Sequence, residues 1–373
     1  GSGGRMAIER DRAVILSGVR KGFTTGAPIT IQIENRDWAN WKEDLAAEPE
    51  PPDLSEPPEP STLPESSMSV TATTRRPAVT RPRPGHADLA GAMKYALQDM
   101  RDVLERASAR ETAARCAVGA VAKAFLEEFG VKVISHVLQI GEVKASRIPA
   151  TVEDIFAEAE ASPVRCADPV ASAKMLEHID EVRKNGDTLG GIFEVIASNV
   201  PPGLGSHVHW DKRLDGRIAW SMMALNGIKG VEIGLGFGSA SRLGSSFHDE
   251  IFFGRTRADE PNTFYRRTNN AGGIEGGMSN GEPIVVRAAM KPIATLRKPL
   301  RSVDVFTKET VLAHHERSDV CAVSRASVVG EAVVAIELMS AWLCKFGGDN
   351  MYDIKRAFRE YANRLERFPQ LDM

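Results

Sequence analysis

A mixed α/β fold, of the α+β type, is what this sequence predicts, and three patterns predict it. Apolar residues recur at helical spacing over 89–104, 110–125 and 326–345. Short β-branched runs read as strands at 12–18, 28–35 and 131–143. A strand–helix–strand order then roughly recurs in the two halves of the chain. At 373 residues and 42% hydrophobic, the chain is long enough to bury a sizeable core.

The elements follow in order. RAVILSG (12–18) and PITIQIEN (28–35) are strands separated by the glycine-containing FTTGAP. Residues 46–85 change character: the stretch holds nearly half of the chain's 21 prolines and a cluster of acids. Proline without a hydrophobic period builds neither helix nor sheet interior, so 46–85 is expected as an extended, acidic Pro-rich loop inserted in one 1–373 domain. A helical period begins at Leu89 and runs through Met93, Leu97, Met100 and Leu104; a second helix starts at Arg110 and stops at Gly130. VKVISHVLQIGEV (131–143) is a strand, and helices follow at 151–160 and 168–184, ending at Asn185-Gly186. LGGIFEVIASNVPPG returns to strand and turn. A helix at 216–226, a strand at 231–237, a Gly-rich block with its own strand, and helices at 326–345 and 350–365 complete the pattern.

Composition narrows the function. Lys+Arg 47 against Asp+Glu 50 gives a net charge of −3, which argues against nucleic-acid binding, a role that needs a basic surface. No apolar run is read as reaching the ~18 residues of a membrane span, and no signal peptide is visible, so no membrane partner and a cytoplasmic location are expected. Cys116, Cys166, Cys321 and Cys344 are widely spaced without metal-type pairing; Cys116 and Cys344 fall in helical apolar patterns and are expected as buried thiols. His207 and His209 have the spacing of a ligand pair on a strand, but no third ligand accompanies them and no metal site is expected. GLGFG (234–238) lacks the following helix and ribose-binding acid of a dinucleotide fold.

The most informative segment is RRTNNAGGIEGGMSNGEPIVVRAAMKPIATL (266–296). Its glycines allow close backbone approach to a ligand, and the flanking Asn, Arg and Lys supply donors for anionic oxygens. By residues alone it is either a loop that wraps a phosphate-bearing ligand or a surface connection. Elsewhere, His86 follows a Pro-Gly turn, where an imidazole handles protons near neutrality or merely begins a helix. Arg106 and Arg110 stand one helical turn apart, so their heads converge if one helix carries both. Asp319 reads as an N-cap or ion-pair partner.

Five ordered blocks tip these alternatives: 266–296, RPRPGHADLAGAMKY (81–95), RASARETAARCAVGAVAKAF (106–125), PPGLGSHVHWDKRLDGRIAWSMMALNGIKGVEIGLGF (201–237) and HERSDVCAVSRASVVGEAVVAIELM (315–339). They closely resemble the chorismate synthases. The resemblance implies a β-α-β sandwich with sheets packed on a helical layer, a homotetramer, and conversion of 5-enolpyruvylshikimate 3-phosphate to chorismate and phosphate. That anti-1,4 elimination uses reduced FMN, with NADPH an expected candidate reductant of the flavin. By the same resemblance His86 and Asp319 are the catalytic residues, and Arg5, Arg83 and Arg110 bind substrate. Arg106, Ala107, Ser108, Asn226, Gly227, Gly276, Lys291, Pro292, Ile293, Ala294, Thr295 and Arg317 hold the cofactor.

The chain departs from the family at its start. It opens Gly1-Ser2-Gly3-Gly4-Arg5, with no match to the family's GESHG-type motif, and Ser2 stands where an arginine is usual. Ser324 replaces a usual proline. The expectation is an N-terminally truncated synthase whose turnover is impaired, the alternative being a flavin- and ligand-binding fragment without turnover.

Overall fold

The structure, a computed structural model, describes residues 11–36, 38–47, 77–255, 263–315 and 319–370. Its centre is a five-stranded sheet built from β1 (Lys132–Ile140), β2 (Val143–Lys144), β3 (Gly191–Ser198), β4 (Ile228–Ile233) and β5 (Ile284–Met290). The order across the sheet is β2-β1-β3-β5-β4, and every pairing is antiparallel. The dinucleotide-binding alternative, which needs parallel strands and crossover helices, is thereby excluded.

Side chains alternate across a pleated strand, and the register decides which residues share a face. Val133, Val137, Phe193, Val195, Ala197, Val286 and Ala288 line one face and belong to the main core. Among the described residues seven helices of eight residues or more surround the sheet: α1 (Asp88–Tyr95), α2 (Thr112–Glu127), α3 (Val152–Ala161), α4 (Pro169–Lys184), α5 (Leu214–Met223), α6 (Val323–Phe346) and α7 (Met351–Glu366). The longest, α6, lies on that apolar face. Gly330 makes the contact possible, since a β-carbon there would fall 2.7 Å from the Phe193 ring. On its other sides α6 meets α2 and α5, and α2 in turn meets the strand Ile31–Ile33. That strand pairs antiparallel with Ala13–Ile15, so helices lie between the large sheet and this small one. Among the described residues the remaining sheets have two strands each, and the layering is that of sheets on helices.

Trp342, fully buried on α6, packs against Phe129, Phe346 and Phe358 with ring centroids 4.5–5.2 Å apart, an arrangement that favours tilted rings. Burial of each such side chain contributes on the order of 1.5–3 kcal/mol. The most apolar 18-residue window of α6 has a mean hydropathy of 1.6, so this helix does reach membrane-span length and composition, contrary to the sequence reading. That window is two-thirds buried within the chain's own core. Two carboxylates interrupt it. Glu331 accepts from Ser135 Oγ (2.6 Å), Arg165 Nη2 (3.0 Å) and Lys123 Nζ (2.7 Å). Glu337 accepts from Arg217 Nε (2.9 Å) and Ser221 Oγ (2.5 Å).

Sequence and structure part in three further places. The helical period from Leu89 to Leu104 is broken: Ala96 takes φ 56°, ψ 41° and closes α1, and a separate short helix spans Arg101–Arg106. Asp99 fills the break, accepting from the N–H groups of Val79 and Arg101 (both 2.9 Å). The second helix begins after a 3-10 turn at Ala109–Glu111, so Arg106 and Arg110 sit on different elements rather than on successive turns of one helix. Cys344 is exposed and Cys116, packed at the margin of the main core, is only half-buried; Cys166 and Cys321 are the buried thiols. Of the acidic loop, residues 48–76 lie outside the described residues.

Candidate functional site

Most of the site residues named above gather at one end of the sheet, where β5 ends and β3 begins. Met290 finishes β5, and Lys291–Thr295 continues as an irregular segment across the sheet's end. It is anchored from three sides. The Lys291 N–H donates to Gly227 O (2.9 Å), Thr188 Oγ1 donates to Ile293 O (2.8 Å), and Lys291 Nζ donates to Gly85 O. Gly227 has φ +83°, in the left-handed region, and a β-carbon there would lie 3.1 Å from Met290 Cε. Next to it Asn226 Nδ2 donates to Ala107 O (3.0 Å), which fixes the Ala107-Ser108 turn against the same surface. Ser108 caps the 3-10 turn by accepting from Arg110 N–H (3.2 Å). Arg106 is exposed beside that turn.

The turn Arg83–Asp88 forms the second wall. Asp88 opens α1 with its carboxylate fully buried, and Arg83 is 6% exposed. Asp88 Oδ2 accepts from the Arg83 N–H (3.0 Å) and Nε (2.9 Å), and Oδ1 from Nη2 (3.1 Å). Arg83 Nη1 donates to Thr295 Oγ1 (2.7 Å), which joins the two walls. His86 Nδ1 lies 2.5 Å from Asp88 Oδ1, and Arg83 Nη2 lies 3.0 and 3.2 Å from the two ring nitrogens. Burial raises the Asp88 pKa, but hydrogen bonds from His86 and Arg83 outweigh it and hold the group well below the usual carboxylate range. Lys291 is pushed down from the ordinary lysine value by burial and by the neighbouring charge of Lys229.

Asp319 is tied to this end of the sheet through its neighbours. The Leu189 N–H donates to Val320 O (2.8 Å), one residue from the Thr188 that anchors Ile293. Asp319 itself pairs with Arg325 on α6, and the helix is capped by Ala322, so the ion-pair reading stands and the N-cap reading does not. Arg110 reaches the other way, gripping Asp11 with Nη1 (2.6 Å) and Nη2 (2.9 Å). Gly276 has φ +58° with open space where a β-carbon would be. Its hairpin is bonded toward Leu204 and Leu214 rather than toward Lys291. Arg5 and Arg317 lie outside the described residues.

Two of the expected ligand-binding groups are engaged within the protein. Arg83, expected to bind substrate, has its guanidinium buried and directed to Asp88, Thr295 and His86. The Gly-rich loop of 268–283 wraps a side chain of this chain rather than an open space. Asp249, 8% exposed, accepts from Thr268 Oγ1 (2.6 Å), Asn270 N–H (2.8 Å) and Ala271 N–H (2.9 Å). Asn269 and Asn270 are likewise bonded to backbone, Asn269 Nδ2 to Pro283 O and Asn270 Nδ2 to Phe247 O (both 2.8 Å). Gly272 and Gly234 serve backbone contact: a β-carbon on Gly272 would meet Gly234 N at 2.3 Å.

His207 and His209 are exposed, and among the described residues no group of three or more His, Cys, Asp and Glu is placed to hold a metal. Sequence reasoning missed Thr188 and Gly85 as anchors of the Lys291 segment. Gly85 stood in the quoted RPGHAD block; Thr188 carried no signal. It also missed a polar trio on the sheet's second face, where buried Glu194 accepts from the partly exposed Arg287 Nε (2.6 Å) and lies 3.1 Å from buried His136 Nε2. Only the strand register brings those three together.

Comparison with known proteins gives a consistent picture. The sequence profile described as "Chorismate synthase" matches residues 1–343. A chorismate synthase of Pelobacter propionicus is 52% identical over 367 residues, 98% of this chain and 88% of the relative. One of Aquifex aeolicus is 52% identical over 376 residues, 99% and 88% of the two chains. A crystal structure of a chorismate synthase superposes with a TM-score of 0.72 at 42% identity, covering 96% of this chain and 86% of the other.

Proposed function

The chain belongs to the chorismate synthase family, lyases of the shikimate pathway, and from that premise we propose that the Lys291–Thr295 end of the sheet binds reduced FMN and 5-enolpyruvylshikimate 3-phosphate and expels phosphate to give chorismate. The observation that carries the reading is the joining of Ala107, Asn226, Gly227, Lys291 and His86's turn into one surface by the hydrogen bonds above. The donor set suits the cofactor: Lys291 and the exposed Arg106 flank it with positive charge, and Gly227 keeps the floor free of a side chain. When bound, reduced FMN supplies an electron-rich ring beside the substrate.

The chain's own residues do the rest. Arg106 and Lys291 hold a phosphate, with Ser108 and the 291–295 segment setting its position. His86 holds a proton at the site's edge and releases or accepts it as the ring hydrogen leaves. Asp319 contributes negative charge near the cofactor. Arg110 takes a substrate carboxylate, and its two-bond grip on Asp11 already has the geometry for one; substrate binding then displaces Asp11, which is 41% exposed. The four free thiols fit a reducing cytoplasmic setting.

Self-association as a homotetramer belongs to the same reading. Trp210, Trp220 and Phe237 are 85%, 73% and 81% exposed, the kind of apolar surface that oligomers cover. Sedimentation should give a tetramer mass.

The test is anaerobic: photoreduced FMN with 5-enolpyruvylshikimate 3-phosphate, following chorismate absorbance and free phosphate together. Turnover in the wild-type chain, and its loss by roughly 10²–10⁴-fold in His86→Gln with FMN still bound, supports the reading. Equal turnover in the two proteins removes His86 from it.

A further inference from the structure

We propose that Asp88 is a positioning residue for this reaction: its buried carboxylate, clamped by Arg83, holds neutral His86 as the Nδ1–H tautomer and leaves Nε2 as the nitrogen that exchanges protons. The inference rests on the assignment of proton handling to His86.

The geometry leaves little freedom. An ionised carboxylate only accepts hydrogen bonds, so the hydrogen between Asp88 Oδ1 and His86 Nδ1, 2.5 Å apart, belongs to Nδ1. Arg83 Nη2, which only donates, lies 3.0 Å from Nδ1 and 3.2 Å from Nε2 and so favours neither nitrogen; the Asp88 contact alone selects the tautomer. The carboxylate cannot swing away, because three Arg83 donors fix both of its oxygens and the side chain is fully buried. Arg83 is fixed in turn by Thr295 Oγ1 at 2.7 Å. His86 is the exposed end of this chain of contacts, its side chain 21% accessible where those of Arg83 and Asp88 are 5% and 0%. A carboxylate that only started a helix would need neither the imidazole nor the clamp. In water imidazole favours the Nε2–H form, so the structure imposes the opposite tautomer.

Two measurements test this. The first needs no change to the site: ring ¹⁵N NMR of histidine-labelled wild-type protein, with the His86 signals assigned by their absence in His86→Gln. A protonated-type Nδ1 and an imine-type Nε2 for the neutral ring are expected; an Nε2–H ring overturns the proposal. The second is Asp88→Asn, whose amide can donate to Nδ1 and so moves the proton to Nε2. Its kcat should fall about 10²–10⁴-fold, as when the general acid itself is lost, while KM and FMN affinity change by less than roughly 3-fold. If Asp88→Asn does not fold, Thr295→Val replaces it. Loosening Arg83 should then lower kcat and broaden the His86 signals, and an unchanged kcat with unchanged signals overturns the proposal. Full turnover in Asp88→Asn beside an inactive His86→Gln overturns the positioning role alone. Full turnover in His86→Gln overturns the assignment of His86 and the proposal with it.

Discussion

Gly119 on α2 and Ala332 on α6 meet so closely that a β-carbon on residue 119 would lie 2.3 Å from that of Ala332 and 2.5 Å from its Cα. The contact is the axis of the helical layer, and it sets how near α2 and the Ala13–Ile33 hairpin come to the sheet.

Gly119→Ala should therefore destabilise the fold even though alanine is the better helix former. Propensity favours alanine by about 1 kcal/mol. Overpacking against a backbone atom costs about 1–3 kcal/mol. Urea unfolding should show a lower midpoint with an unchanged slope. A raised midpoint would mean that the two helices separate at no cost.

Glu331→Leu should cost about 1–3 kcal/mol, because it leaves Arg165 only the more exposed Glu160 and removes the buried acceptor of Ser135 and Lys123. The double variant Glu331→Leu/Arg165→Met should recover much of the loss. Thermal unfolding of the three proteins gives the coupling directly; simple additivity would show that the cluster is not a unit.

Asp168 caps α4 and should make stability fall in acid. Burial alone would raise its pKa, but hydrogen bonds from Ser146, Ala171 and Arg147 lower it from 3.8 to about 2. The contribution is thus complete above about pH 5 and is lost as pH falls through about 2. With about 1.4 kcal/mol per unit, it amounts to about 2 kcal/mol. Asp168→Asn should lose that much at pH 7 and flatten the acid limb of a denaturant titration. An unaltered limb would show that other carboxylates govern it.

Lys291→Ala should weaken FMN binding about 10- to 100-fold, the worth of a charge-assisted hydrogen bond, and barely change the stability of the cofactor-free chain. Because burial and Lys229 lower the Lys291 pKa, wild-type affinity should also decline at alkaline pH earlier than ordinary lysine would dictate. Flavin fluorescence titrations across pH check both points.

Much of this was legible in the residues. Long apolar periods such as 326–345 gave their helices, and the RPGHAD and KPIAT blocks led to residues that do come together. What escaped was non-local. The break at Ala96 falls inside an unbroken 3.6-residue period, and it is set by Asp99 bonding back to Val79. The Gly-rich loop's donors are met by Asp249, some 20 residues earlier, a pairing no local pattern encodes. The burial of Arg83 was equally hidden, because exposure is not written in residue type and here depends on Thr295 arriving from across the chain.

The two carboxylates of α6 have a mechanical meaning. Six residues separate Glu331 from Glu337, about 9 Å along the axis and some 240° around it. They engage different partners on different sides: Ser135, Lys123 and Arg165 for one, Arg217 and Ser221 for the other. An apolar helix of this length could otherwise slide by a turn, about 5.4 Å, and still bury similar surface. Here such a slip would strand both charges at once. The pair acts as a two-pin key, and only one axial setting of α6 lets both pins seat.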